Sequence, residues 1–136
     1  AGDAPAQPVS AYALRWLGTT GNLAAAFEPL NRAGSWDAFV AAIDRFDLPS
    51  QNVVYADVDG HIGYALSGRL PVRLSGDGTM PLAGAAWGSG DGPSLPRVLD
   101  PASGFVASAN NEVDRRLDGV TRDWAAPYRA SRIHQV

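Results

Sequence analysis

Apolar and polar positions alternate over residues 11–17, where Tyr12, Leu14 and Trp16 share one side, and this predicts a first strand closed by Gly18. The period then lengthens. Leu23, Phe27 and Leu30 fall on one face of a helix that Asn22 can cap, with Pro29 expected to bend or shorten it. Ser35 can cap a second helix whose apolar stripe is Trp36, Phe39, Val40 and Ile43. A glycine-containing turn between the two predicts a helical hairpin. The period shortens again over 53–58 and 62–66, two strands joined at Asp59-Gly60, a two-residue turn of the kind hairpins favour. Residues 68–96 are dense in Gly, Pro and Ser, which predicts a long irregular excursion, pinned by Trp87. Val98 and Leu99 lead to a further strand over 105–109, and a short helix is expected over 129–135.

These elements predict an α+β fold: a helical hairpin, an antiparallel β-hairpin with further strands, and a Gly/Pro-rich loop. Residues 1–10, rich in Ala and Pro, read as a flexible arm. Residues 11–136 read as one domain, a length that buries a modest core. Trp16, Trp36, Trp87 and Trp124 are expected as core or interface anchors, and Tyr55 and Tyr64 as a pair packing across the hairpin.

Composition narrows the function. The 136 residues carry a net charge of −3 with scattered arginines, which argues against a nucleic-acid surface. There is no cysteine, hence no disulfide framework and no thiolate metal site. No apolar run reaches the roughly 18 residues that a membrane-spanning helix needs. The chain begins without Met, so a leader or a larger upstream portion is expected to be missing.

The candidate chemistry is concentrated near the C-terminal end. Pro101-Ala102-Ser103-Gly104-Phe105-Val106-Ala107-Ser108-Ala109-Asn110-Asn111 runs from a turn through an apolar stretch into two adjacent amides. A primary amide is a neutral donor with two N–H groups in a fixed plane, suited to a developing oxyanion. The same pair also suits a turn or a helix cap. His61, beside the hairpin turn, is expected to be solvated. Neither it nor His134 has a Ser and an Asp arranged as a triad. Asp57 and Asp59 are expected to serve the turn.

Three segments resemble the penicillin acylase family, in its order and with similar spacings. They are Asn52-Val53-Val54-Tyr55-Ala56-Asp57-Val58-Asp59-Gly60-His61-Ile62-Gly63-Tyr64, the segment ending in Asn110-Asn111, and Trp124-Ala125-Ala126-Pro127-Tyr128-Arg129-Ala130-Ser131-Arg132-Ile133. The resemblance runs from about Ala11 to the end. It implies an N-terminal-nucleophile (Ntn) amidohydrolase of αββα architecture, cut from a precursor into a small and a large subunit. This chain would be an internal piece of the large subunit. Residue 1 is Ala, which has no nucleophilic atom, so the chain alone is expected to be inactive. By the same resemblance Asn110 matches the oxyanion-hole side chain. Arg129 matches a supporting arginine near the nucleophile's amine, and Asp118 stands at the spacing of a calcium ligand. No cofactor is required, with a structural calcium expected in some parents. The implied partners are the rest of the large subunit, the small subunit and a small amide substrate, with no nucleic acid and no membrane. The implied location is periplasmic or secreted. The alternative is a stand-alone, non-catalytic binding or scaffold module derived from the same fold.

Overall fold

The computed structural model describes residues 11–19, 21–82, 88, 92, 94–112 and 123–136. The expected arm over residues 1–10, Trp87 and Asp118 lie outside the described residues. Helix α1 (Ala24–Arg32) follows Asn22, whose Oδ1 accepts from Ala25 N at 3.4 Å. The helix continues through Pro29 to Arg32 and buries Ala26. Phe27, expected on the inner face, is half exposed and meets the Phe46 ring edge-on at 5.6 Å. Helix α2 (Trp36–Ile43) starts where Ser35 Oγ accepts from Ala38 N, and Asp37 in its first turn suits the positive end of the helix dipole. Its spacing buries Phe39, Ala42 and Ile43.

Strands β1 (Asn52–Ala56), β2 (Ile62–Leu66) and β3 (Arg97–Leu99) form one antiparallel sheet in the order β1-β2-β3. The hairpin is present, but its turn is longer than two residues. Gly60 N donates to Asp57 O, Asp57 N donates to His61 O, and Gly60 adopts φ +92°. This is the three-residue hairpin loop, with its glycine where positive φ is needed. Asp57 fixes it by accepting from the backbone N–H groups of Asp59 and His61. Asp57 therefore serves the turn, as expected, and the ladder of β1 stops at Ala56.

The core is Phe39, Ile43, Tyr55 and Ala65, with Leu30, Ala33, Trp36, Val40 and Val53 packed around it. Tyr55 pairs with Gly63 and Tyr64 with Val54, so the two tyrosines point to opposite faces of the sheet rather than packing together. Tyr55 lies under Trp36 and Phe39, with ring centroids at 5.4 and 5.0 Å. Opposite Tyr55, Gly63 leaves room for the indole: a Cβ there would sit 2.5 Å from the Trp36 ring. Tyr64 on the other face donates to Asn52 Oδ1 at 2.6 Å.

Two expected strands are absent. Residues 11–16 have no regular structure and 17–19 form a single 3-10 turn; Tyr12 and Leu14 are more than 80% exposed. Alternation alone cannot supply the neighbouring strand that a ladder requires. Residues 105–109 are likewise unpaired. The ladder ends at Leu99, because Asp100 takes a left-handed conformation (φ 46°) and Gly104 (φ 72°) turns the chain again. Between β2 and β3 the described residues contain no helix or strand, as the Gly/Pro density predicts. Helix α3 (Tyr128–Ile133) closes the chain.

Candidate functional site

Asn110 sits in a turn, not at the end of a strand. Its φ of 61° lies in the left-handed region, which asparagine tolerates better than most residues. Its neighbours hold that turn from three sides. Asn111 Oδ1 accepts from Ala109 N at 3.1 Å, and Asn111 Nδ2 donates to Glu112 O. Ala125 N donates to Asn110 O at 2.8 Å. Asn111 is thus the backbone-satisfying member of the pair. Ala109, just before, is 5% exposed, so the turn is seated on a buried residue.

Arg129, in the first turn of α3, reaches this turn across 19 residues of sequence. Its Nη2 donates to Ala109 O at 2.9 Å and to Asn110 Oδ1 at 3.0 Å. A guanidinium carries only donors, so it can face only the carbonyl side of the amide. The contact therefore decides which way the amide points: Oδ1 towards Arg129, Nδ2 away from it. Among the described residues Nδ2 has no hydrogen-bond partner, and the residue is exposed. An outward, uncharged N–H₂ group can donate to an external acceptor. Nearby, Ser108 Oγ is buried without a hydrogen bond among the described residues.

Asn110 and Arg129, two of the three residues singled out in the sequence, are brought together. Asp118 lies outside the described residues, and the calcium expectation attached to it rests on the resemblance alone. Among the described residues no group of three or more His, Asp or Glu side chains could hold a metal ion. No described helix is long and apolar enough to cross a membrane.

A second polar cluster was not legible in the sequence. His61 is not simply solvated: its Nδ1 lies 2.8 Å from Asp100 Oδ2, 39 residues away. Asp100 Oδ1 accepts from Ile62 N at 3.1 Å, and Asp100 N donates to Ile62 O at 2.8 Å. The hydrogen bond to Asp100, then its charge and that of Asp57, hold the His61 pKa above its ordinary value. The hydrogen bond from His61, followed by that from Ile62 N, lowers the Asp100 carboxyl. Tyr55 donates to Asp57 Oδ2 at 2.8 Å. Burial, then that bond, pushes the Tyr55 phenol up to about 12. Burial opposes ionisation of Asp57, yet its hydrogen bonds from Tyr55 and the His61 backbone leave its pKa lowered. No local motif announces the His61–Asp100 pair, since only the β2–β3 pairing makes the two residues neighbours.

An open cleft of about 430 Å³ borders the Asn110 turn. Tyr64 and Val98 line it from the sheet, Phe105 and Ala107 from the segment before Asn110, and His134 from the end of α3.

Comparison with known proteins supplies the family. The model of the penicillin amidase family matches residues 3–136. The chain is 38% identical over 96 residues to penicillin acylase 2 proenzyme of Pseudomonas sp. (strain SE83), covering 63% of this chain and 12% of that protein. It is 32% identical over 118 residues to the acyl-homoserine lactone acylase QuiP of Pseudomonas fluorescens (strain Pf0-1), covering 82% of this chain and 14% of that protein. It is 42% identical over 67 residues to penicillin G acylase of Escherichia coli, covering 44% of this chain and 8% of that protein. The matched stretch thus spans between 8% and 14% of these relatives. Taken with the mixed α/β fold, the match over nearly all its length places the chain in the penicillin amidase family.

Proposed function

We propose that this chain is a segment of an Ntn amidohydrolase that cleaves a linear amide between an acyl group and an amine, and that Asn110 supplies a side-chain donor to the oxyanion hole. The observation that carries the reading is the Arg129 contact, which turns the Asn110 Nδ2 outward. As a nucleophile attacks the amide carbonyl, negative charge gathers on its oxygen. A donor already in place needs no reorganisation at that moment, and one such donor is worth about 3–4 kcal/mol in a hydrolase. Arg129 holds that donor and puts positive charge nearby, which favours the oxyanion and disfavours protonation of a neighbouring amine. The nucleophile and a second, backbone donor belong to parts of the parent outside these residues. The parent is read as an αββα protein of two subunits, periplasmic or secreted.

On this reading the chain by itself releases no product from chromogenic acyl-anilides. Turnover that co-purified with it and vanished in Asn110→Ala would overturn that expectation. The decisive measurement is steady-state kinetics of the parent enzyme. Asn110→Ala should lower kcat by about a hundred- to a thousand-fold with KM much less changed, because the donor acts mainly on the transition state. Asn111→Ala should cost far less. Equal, small losses at both positions would reduce Asn110 to a turn residue.

A further inference from the structure

The segment that carries Asn110 is rooted at Asp100, the residue that follows β3. That root is unusually well tied for an exposed turn. Asp100 meets both backbone groups of Ile62: its N–H donates to Ile62 O and its side-chain Oδ1 accepts from Ile62 N, while Oδ2 lies against the His61 imidazole. It does so in a left-handed conformation (φ 46°), which aspartate tolerates better than most residues.

From this root the chain is short of freedom. Gly104 N closes a turn onto Pro101 O at 2.8 Å, and Ser103 Oγ donates to Phe105 O. Phe105 meets the His134 ring edge-on at 5.2 Å. His134 ends α3, the helix on which Arg129 sits. The root is therefore linked to the amide by two routes. One is the covalent chain over residues 101–109; the other passes through Phe105 and α3 to Arg129.

We propose that His61 and Asp100 form a protonation-dependent clamp on the root of the Asn110 segment, and that His61 is thereby a positioning residue for the Asn110 amide. The charged groups around the imidazole are Asp100 beyond β3 and Asp57 and Asp59 in the β1–β2 turn, with the Tyr55 hydroxyl bonded to Asp57. All three charges are negative and favour the imidazolium. While it is charged, both ring nitrogens are donors and Nδ1 must present a proton to Asp100. Once it is neutral, the charge attraction is lost, and only the tautomer protonated on Nδ1 keeps a hydrogen bond to Asp100. The tautomer protonated on Nε2 instead sets a lone pair against the carboxylate. The clamp is complete above the lowered Asp100 pKa and weakens as pH rises through the raised His61 pKa. The consequence for catalysis rests on the role proposed for Asn110; the conformational coupling does not.

The test is an NMR pH titration of this chain, following both imidazoles and the Asn110 side-chain N–H₂. In the wild-type chain the Asn110 signals should shift with the midpoint of His61, and that midpoint should lie above the ordinary value of 6.5. His61→Gln should abolish the shift. His134→Gln breaks the route through Phe105 but leaves the covalent one, so a shift with the His61 midpoint should persist, which separates His61 from His134 as its source. Asp100→Gly suits the left-handed backbone and so keeps the fold, but it removes the carboxylate. It should return the His61 midpoint towards its ordinary value and silence the response at Asn110. Asn110 signals that ignore the His61 midpoint, or that still titrate in His61→Gln, would overturn the proposal. Neither result bears on the Asn110→Ala kinetics, so the two readings fail separately.

Discussion

At the scale of single residues, the working feature is a division of labour between two adjacent asparagines. Asn111 spends its amide on the backbone, through Ala109 N and Glu112 O. Asn110 gives its carbonyl to Arg129 and keeps its N–H₂ outward. Asn110→Asp makes this testable without disturbing shape. The carboxylate keeps the φ 61° turn, since aspartate also tolerates it, and gains a charge-assisted bond to Arg129. It has no N–H to offer. In the parent enzyme, Asn110→Asp should therefore fold normally and lose kcat about as severely as Asn110→Ala. Circular dichroism together with single-turnover kinetics checks both halves. Activity close to wild type would mean that the outward amide group is not the donor.

At the scale of elements, close approach governs the helix–sheet contact. The α2 face is held on the sheet by Trp36, Phe39 and Tyr55, and this cluster depends on Gly63 having no side chain. A Cβ at residue 63 would also meet Val98 O at 3.0 Å, which is backbone and cannot swing aside. Gly63→Ala should destabilise the fold by about 1–3 kcal/mol as an overpacking change. Ser35→Ala, which removes the cap on Ala38 N, should cost about 1 kcal/mol. Urea unfolding of both variants ranks the two effects. A Gly63→Ala midpoint equal to that of wild type would show that the indole does not sit over the β1–β2 pair.

At the scale of the whole molecule, pH acts through groups spread over the hairpin turn and the β3 end. Asp57 and Asp100 have lowered pKa values, so the stability they add is present above the ordinary carboxylate value of 3.8 and is lost as pH falls through the folded values. His61 has a raised pKa, so its contribution is complete below 6.5 and is lost as pH rises through the folded value. Tyr55 adds a last alkaline step, because stability present below its ordinary value of 10.0 is lost as pH rises through about 12. Denaturation midpoints measured across pH should form a plateau between the carboxylate and imidazole limbs. His61→Gln should remove the limb above 6.5 and leave the acid limb standing. The large exposed apolar side chains, Tyr12, Leu14, Leu74 and Met80 among them, should also make the isolated chain self-associate, which sedimentation at several concentrations reads directly.

The sequence by itself determined what depends on near neighbours. The Ser35 cap and the apolar stripe of α2, the hairpin with Gly60 in its turn, and the terminal helix carrying Arg129 all follow from local periodicity and capping chemistry. The three ordered segments carried the family, which the comparison with known proteins bears out. Asn110 and Arg129 could be named as candidates, but not the way the amide points. That orientation belongs to a contact 19 residues apart, which exists only once α3 is docked. The strands expected over 11–17 and 105–109 did not form, because a strand's hydrogen bonds are made with another strand and alternation says nothing of whether one is there. The two tyrosines were parted for a related reason, since a shift of one residue in register sends a side chain to the other face. His61 and Asp100 became partners only through the pairing of β2 with β3. Short-range geometry is written into the order of residues, whereas the direction of a donor and the company of a charge are set by what the folded chain brings beside them.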